Sequence, residues 1–347
     1  MLRRLVALAL VLPLLAVLLM VADSPLREPL GPNRDAPAAL VALGDSTMSG
    51  EGAGSYEPGT DGENDNWCHR STKASVHRTK VAGVEKVFNL ACSGSSSEQV
   101  GLTDGTNNTE ISQARQLARI AREYRVTTVV VATGANDDPK FGDVLGACLR
   151  AWFERADCAT GLAQQWRERV DRMVPKVRQA LRDIRQVLHD EGYTPLSYTL
   201  VVQSYAAPVG PDLPFDLQNL AGCPLRTDDL QWVRDEAVGE LAAGLREAAS
   251  SVGARFLDLS RAGADHEACA GGKNPEREWF TRLMVDFDGL RDEVRARHAL
   301  QESFHPNARG HEQFGRCMTE FLGTSARVAS CVADRDGNLR PVPPDGD

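Results

Sequence analysis

The chain has 347 residues, 42% of them hydrophobic, and a formal net charge of −9. That composition supports a folded core, while an acidic chain with no long Lys/Arg cluster is a poor match to a nucleic-acid backbone. Length alone leaves one large domain or two small ones open.

In chain order, Arg3 and Arg4 precede an apolar run over residues 5–22 that only Pro13 interrupts. A short basic stretch before such a run reads as a secretory signal. The run is also long enough to border on a membrane-spanning helix. Residues 1–22 are therefore expected to be a cleaved signal peptide or a retained membrane anchor, with the rest exported. Residues 23–37 contain Pro25, Pro29, Pro32 and Pro37 and read as a linker. Beyond them, short apolar runs at Ala38–Leu43, Lys86–Leu90, Thr127–Ala132, Tyr198–Gln203 and Arg255–Leu259 predict five strands buried on both faces. Helical spacing marks Ile111–Tyr124, Leu162–His189 with Pro175 inside it, and Asp228–Ser251 with Thr227 or Asp228 as its cap. Strand–helix alternation predicts an α/β fold, a central five-stranded parallel sheet between two helical layers. One domain is expected over 38–332, followed by a flexible tail over 333–347.

Eight cysteines are dispersed along the chain: Cys68, Cys92, Cys148, Cys158, Cys223, Cys269, Cys317 and Cys331. An even count without Cys-x-x-Cys favours disulfides over zinc and agrees with export. Pairing of sequence neighbours (68–92, 148–158, 223–269, 317–331) is the expected connectivity, although spacing does not fix it.

Open parallel sheets place ligands beyond the C-terminal ends of their strands. Three polar or Gly-rich segments fall there: Gly44-Asp45-Ser46, Asn89-Leu90-Ala91-Cys92-Ser93-Gly94 and Gly134-Ala135-Asn136-Asp137. A serine nucleophile needs a base, most often His, and donors for the developing oxyanion. Of seven histidines, His305 stands out, because Pro306 breaks any helix and fixes the backbone of a loop there. Glu302, three residues earlier, is placed to orient its imidazole, and His311 is the alternative base. Read structurally instead, Ser46 and Gly94 would be turn residues, Asn136 a cap and His305 a surface side chain. Their joint occurrence favours the functional reading.

These segments, with His305-Pro306-Asn307, resemble the four sequence blocks of the SGNH (GDSL-type) hydrolases, in the family's order over residues 40–315. Cys68-His69-Arg70-Ser71 and the cysteine spacing are similar to the disulfide-bonded secreted esterases of actinobacteria. The resemblance implies the SGNH, flavodoxin-like fold and assigns roles. Ser46 attacks the acyl carbon. His305 carries the proton. The Ser46 and Gly94 N–H groups and the Asn136 amide hold the oxyanion. The family commonly has Asp three residues before the catalytic His; here Glu302 stands there, and the Glu302 or Ser303 carbonyl is the alternative orienting group. Asp45 is expected to order the nucleophile turn.

Other signals are weak. Gly50-Glu51-Gly52-Ala53-Gly54-Ser55 lacks the third glycine of a dinucleotide loop. His266-Glu267-Ala268-Cys269 has no partner set for zinc, and there is no Gly-x-Ser-x-Gly elbow. The expectation is an exported, monomeric ester hydrolase acting on a small-molecule or lipid ester, with no metal, cofactor or nucleic-acid partner, and possible membrane attachment only through 5–22. Trp152, Phe153 and Trp166 are candidates for the acyl pocket or the core. An acyltransferase, a glycan deacetylase and a non-catalytic envelope-binding protein are the rival readings.

Overall fold

Ala38–Gly44 consists of small and branched apolar residues and is buried along its whole length, as a strand covered on both faces requires. In the computed structural model, which describes residues 35–138, 140–287, 295 and 298–344, this strand (β1) lies inside a seven-stranded sheet. The others are β2 (Lys86–Asn89), β3 (Arg125–Ala132), β4 (Thr199–Gln203), β5 (Arg255–Asp258), β6 (Val328–Ala333) and β7 (Leu339–Val342), in the order β2-β1-β3-β4-β5-β6-β7. All neighbours pair in parallel except β6 and β7. Because the chain leaves β1 for β2 on one side and then crosses to β3 on the other, the sheet reverses direction at β1. The crevice outside that point is where open α/β sheets bind ligands.

Side chains alternate along β1. Val41 and Leu43 face the cluster containing Leu117, Leu181, Ile184 and Leu245. These come from helices α3 (Gln113–Glu123), α5 (Ala159–Asp190) and α7 (Val238–Ser251). Leu40 and Ala42 face a second cluster with Phe314, Met318 and Phe321 of helix α8 (Ala308–Leu322). The period of two thus sorts one strand between two helical layers.

All five predicted strands are present, with ends shifted by one or two residues, but the sheet has seven strands rather than five. β7 was hidden in the sequence by Arg340 and Pro341, and Ser330 interrupts the short apolar run of β6. Proline is tolerated in β7 because it is an edge strand. The segment 333–347 is accordingly not a free tail throughout. Leu339 is fully buried, and its N–H donates to Gln313 Oε1 at 3.0 Å. Helix α4 (Phe141–Glu154) was hidden by Gly142 and Gly146. The stretch expected as one helix from Asp228 is α6 (Thr227–Trp232), a π turn at Val233–Ala237, then α7. Its N-cap is Arg226 rather than Thr227 or Asp228.

Four disulfides join Cys68–Cys92, Cys148–Cys158, Cys223–Cys269 and Cys317–Cys331. They restrict the unfolded chain and mark a protein of an oxidising, extracytoplasmic compartment. Among the described residues no helix is long and apolar enough to cross a membrane. The expected signal or anchor at 1–22 and most of the linker lie outside the described residues.

Candidate active site

The turn that carries Ser46 is built by β1. At its end Gly44 has φ +151°, and a Cβ there would lie 2.1 Å from the Ala132 carbonyl oxygen, so only glycine fits. Gln113 fastens this point. Its Oε1 accepts from Gly44 N–H at 2.7 Å, and its Nε2 donates to the Gly44 carbonyl at 2.8 Å and to Ser95 Oγ at 3.1 Å. Asp45 then caps a single helical turn, α1 (Ser46–Ser49), by accepting from Thr47 N–H at 3.1 Å. Its other oxygen accepts from Tyr205 Oη. Burial pushes the Asp45 carboxyl up to about 7 against those two donors. Asp45 is thus an ordering group of the turn, as expected.

Ser46 Oγ lies 2.8 Å from His305 Nε2. His305 sits on a loop without strand or helix, and Thr281 shapes that loop. Thr281 N–H donates to the His305 carbonyl at 2.9 Å, and His305 N–H donates to Thr281 Oγ1 at 3.1 Å. Ser303 Oγ accepts from Met284 N–H and donates to the Met284 carbonyl, both at 2.9 Å. Between Ser303 and His305, Phe304 adopts φ +58°, uncommon for a residue with a side chain. Its ring is buried, which anchors the backbone there.

The other imidazole nitrogen, Nδ1, lies 3.1 Å from the Ser303 carbonyl oxygen. Nδ1 therefore donates to that carbonyl, leaving Nε2 as the acceptor facing Ser46. The assignment of Glu302 as the orienting side chain is corrected by this geometry. Glu302 Oε1 instead accepts from Tyr56 Oη at 2.7 Å. The backbone already occupies the position beside Nδ1, and the carboxylate has a phenol partner elsewhere. His311, the alternative base, is fully buried, its Nδ1 accepts from Ser75 N–H at 3.2 Å, and burial lowers its pKa to about 4.

Two further turns follow the C-terminal ends of the neighbouring strands β2 and β3, on the same sheet edge as Ser46. Gly94 has φ +77°, open space where a Cβ would be, and an exposed backbone. Asn136 Nδ2 donates to the Ser95 carbonyl at 3.2 Å. Asp137 holds these turns together, accepting from Ser97 N–H at 3.1 Å and from Ser97 Oγ. Among the described residues neither the Ser46 nor the Gly94 N–H has a backbone acceptor. Two N–H groups without a backbone acceptor and an amide, on the sheet edge that carries the serine, are the kind of donors that an oxyanion needs.

A buried polar network that the sequence did not disclose flanks His305. Glu51 is completely buried. One carboxylate oxygen lies 2.7 Å from His69 Nδ1; the other accepts from Ser93 Oγ and Gln301 Nε2, each at 2.7 Å. His69 stacks on Tyr56 with ring centroids 4.3 Å apart. Burial favours the neutral carboxyl of Glu51, but the hydrogen bond and charge of His69 outweigh it and hold the group below the usual carboxylate range. Conversely, burial opposes charge on His69, and Glu51 overrides it, raising its pKa. For His305 burial wins and lowers the pKa, with Glu51 the main force pulling it back up. Within this network Glu51, His69 and Glu302 offer three ligand atoms within 4.8 Å of one another. The hydrogen bonds just described already engage them with one another, Ser93, Gln301 and Tyr56. His69, Glu51, Ser93 and Glu302 each lay in a segment that the sequence singled out, but for other reasons; Tyr56 and Gln301 lay in none, and nothing local showed that these residues meet.

An apolar cavity opens from Ser46 and His305 and runs between helices α4 to α7, lined by Phe141, Val144, Trp166, Leu230, Trp232 and Leu241 among others. Of the three aromatic candidates for this pocket, Trp166 lines it. Phe153 is 62% exposed, and Trp152 packs on Phe153 outside the lining.

A three-layer α/β/α sheet with a serine at the end of its first strand, hydrogen-bonded to a loop histidine, has the layout of an SGNH-type serine hydrolase. The chain belongs to the GDSL-like lipase/acylhydrolase family, whose model matches residues 42–313, and it is a carboxylic ester hydrolase. The fold is similar to that of an extracellular lipase from Streptomyces rimosus, with 22% identity over 79% of this chain and 94% of that one and a TM-score of 0.54. It is equally similar to phospholipase A1 from Streptomyces albidoflavus, with 22% identity over 80% of this chain and 95% of that one and a TM-score of 0.54. No curated protein sequence matches the chain.

Proposed function

We propose that the protein is an exported esterase or lipase that cleaves esters of apolar acyl groups through an acyl-enzyme on Ser46. The 2.8 Å contact between Ser46 Oγ and His305 Nε2 carries this reading. In the first half-reaction Oγ bonds to the acyl carbon while His305 Nε2 takes the hydroxyl proton. The oxyanion is held by the N–H groups of Ser46 and Gly94 and the amide of Asn136, each such donor contributing about 3–4 kcal/mol to the transition state. The tetrahedral intermediate collapses, the acyl–oxygen bond to the alcohol breaks, and His305 returns its proton to that oxygen. In the second half-reaction water repeats the sequence and releases the acid.

The Ser303 carbonyl supports this cycle by fixing the imidazole tautomer and by accepting from Nδ1–H when the ring is charged. The Ser46–His305 pair is then a dyad, with Glu51 as the nearby buried negative charge that favours the imidazolium. The apolar cavity favours an extended hydrocarbon acyl group. Export is supported by the four disulfides and by the apolar run at 5–22. An alkyl fluorophosphonate tests the nucleophile. Wild type is expected to label on the peptide containing Ser46 and Ser46→Ala not at all; an unlabelled wild type, or undiminished labelling of the variant, would overturn the assignment.

A further inference from the structure

A second cavity among the described residues is unused by the chemistry just described. It is a groove of about 650 Å³ that shares Gly94 and Asn136 with the proposed oxyanion site, a size typical of small-molecule clefts. Helix α2 (Ser97–Val100) contributes Glu98 and Gln99. Helix α5 contributes Lys176, Gln179 and Asp183, and Lys140 stands just before α4. The contrast with the apolar cavity is one of chemistry: this groove has no aromatic side chain, and Leu102 and Ala180 are its only hydrocarbon members.

An ester carbon carries two substituents besides its carbonyl oxygen, the acyl chain and the alcohol. With the oxygen held at Ser46, Gly94 and Asn136, the two halves must leave the site by different paths. Desolvation decides which takes which. A hydrocarbon chain gains by entering the apolar cavity, and a polar group forced in there would lose its hydrogen bonds to water without replacement. The polar groove is therefore left for the alcohol.

We propose that this groove binds the alcohol portion of the substrate, and that this alcohol is uncharged and hydroxyl-rich, of the polyol or sugar kind. The inference rests on the hydrolase reading above and adds a substrate class to it. Charge balance selects the class. Two ammonium groups, Lys140 and Lys176, face three carboxyl groups, Glu98, Asp137 and Asp183. A bare anion meets an excess of one negative charge there, and two of the three carboxylates are already engaged by protein donors, whereas hydroxyl groups both donate and accept and can use both kinds of partner. Asp183 is already engaged, accepting from Leu102 N–H at 2.9 Å and from Gln179 Nε2 at 2.8 Å, and Asp137 is engaged by Ser97. That leaves the lysine ammonium groups and the second carboxylate oxygen of Glu98, whose Oε1 accepts from Thr103 Oγ1 at 3.3 Å, as the principal contacts for a polyol.

Three octanoate esters separate the possibilities in the full-length protein: glucose 6-octanoate, hexyl octanoate and octanoyl glycerol 3-phosphate, each kept below its aggregation concentration. The glucose ester is expected to have the highest kcat/KM. In Lys176→Ala the ratio of glucose ester to hexyl ester is expected to fall about tenfold, as for loss of a hydrogen bond to a charged group, mainly through KM. A preference for hexyl octanoate, a preference for the phosphate ester, or an unchanged ratio in the variant would overturn the proposal. Fluorophosphonate labelling of the variant at the wild-type rate shows that it folds; if it does not label, the wild-type ranking alone decides. Ser46-dependent hydrolysis with no preference for the sugar ester would refute the groove and leave the hydrolase reading standing. Absence of Ser46 labelling in wild type would remove both.

Discussion

The two halves of the candidate site are held by different means. Ser46 stands at the end of a fully buried strand, on a turn pinned by Gly44, Gln113 and the Asp45 cap. His305 stands on an irregular loop whose shape comes from Thr281, Met284 and the buried Phe304 ring. The proposed nucleophile is positioned by the sheet, the proposed base by contacts between distant loop segments beside a buried charge network. The first arrangement is local and follows from strand placement. The second is long-range, and perturbing it should change the chemistry gradually rather than abolish the fold.

The largest effect is expected where the two halves meet. His305→Ala removes the base proposed for both half-reactions, and kcat on p-nitrophenyl butyrate should fall by about 10⁴-fold or more. Loss of less than tenfold would show that another group accepts the Ser46 proton.

On the base side, Glu51→Gln keeps the shape of the side chain and removes its charge. His305 must be neutral to act as a base, so activity is lost as pH falls through its pKa, which burial already places below the ordinary value. The charged groups acting on it from the surrounding elements are Glu51, which raises its pKa, and His69, which lowers it; His311 feels the His305 charge in turn. Glu51 is the stronger of the two. Its removal should therefore move the acidic limb of the kcat/KM profile to lower pH, and lower the plateau by about tenfold because the base is weaker. Glu51→Asp should restore the limb toward wild type. An unmoved limb with a lower plateau would mean that Glu51 acts only in packing.

On the nucleophile side, Gln113→Ala should act mainly on stability. It leaves the buried Gly44 N–H and C=O without their side-chain partners, at a cost of about 1–3 kcal/mol. Chemical denaturation would read this as a lower midpoint at constant m-value. An unaltered midpoint would show that the β1 turn holds itself.

The same contrast explains what the sequence disclosed. Strand β1 and the segments after β1, β2 and β3 were legible because buried parallel strands read as short apolar runs, and their C-terminal ends fall on one edge. Ser46, Gly94 and Asn136 followed from that edge, and His305 from the proline after it. The role of Glu302 was misassigned because sequence offset shows reach but not direction; Tyr56, 246 residues away, attracts its carboxylate. Glu51, Gln113 and Tyr205 carry no local pattern, since their partners are distant in the chain. Strand β7 escaped because an edge strand needs neither an apolar run nor freedom from proline.

The account stands most directly on the orientation of His305 by a backbone carbonyl rather than by a side chain. Glu302→Gln, assayed on p-nitrophenyl butyrate beside His305→Ala, separates the two arrangements. A dyad held by Ser303 predicts kcat/KM within about threefold of wild type, because glutamine keeps an oxygen for Tyr56 and the Nδ1 partner is untouched. A loss of about 10³-fold or more, of the size seen when a triad acid is replaced, would contradict it.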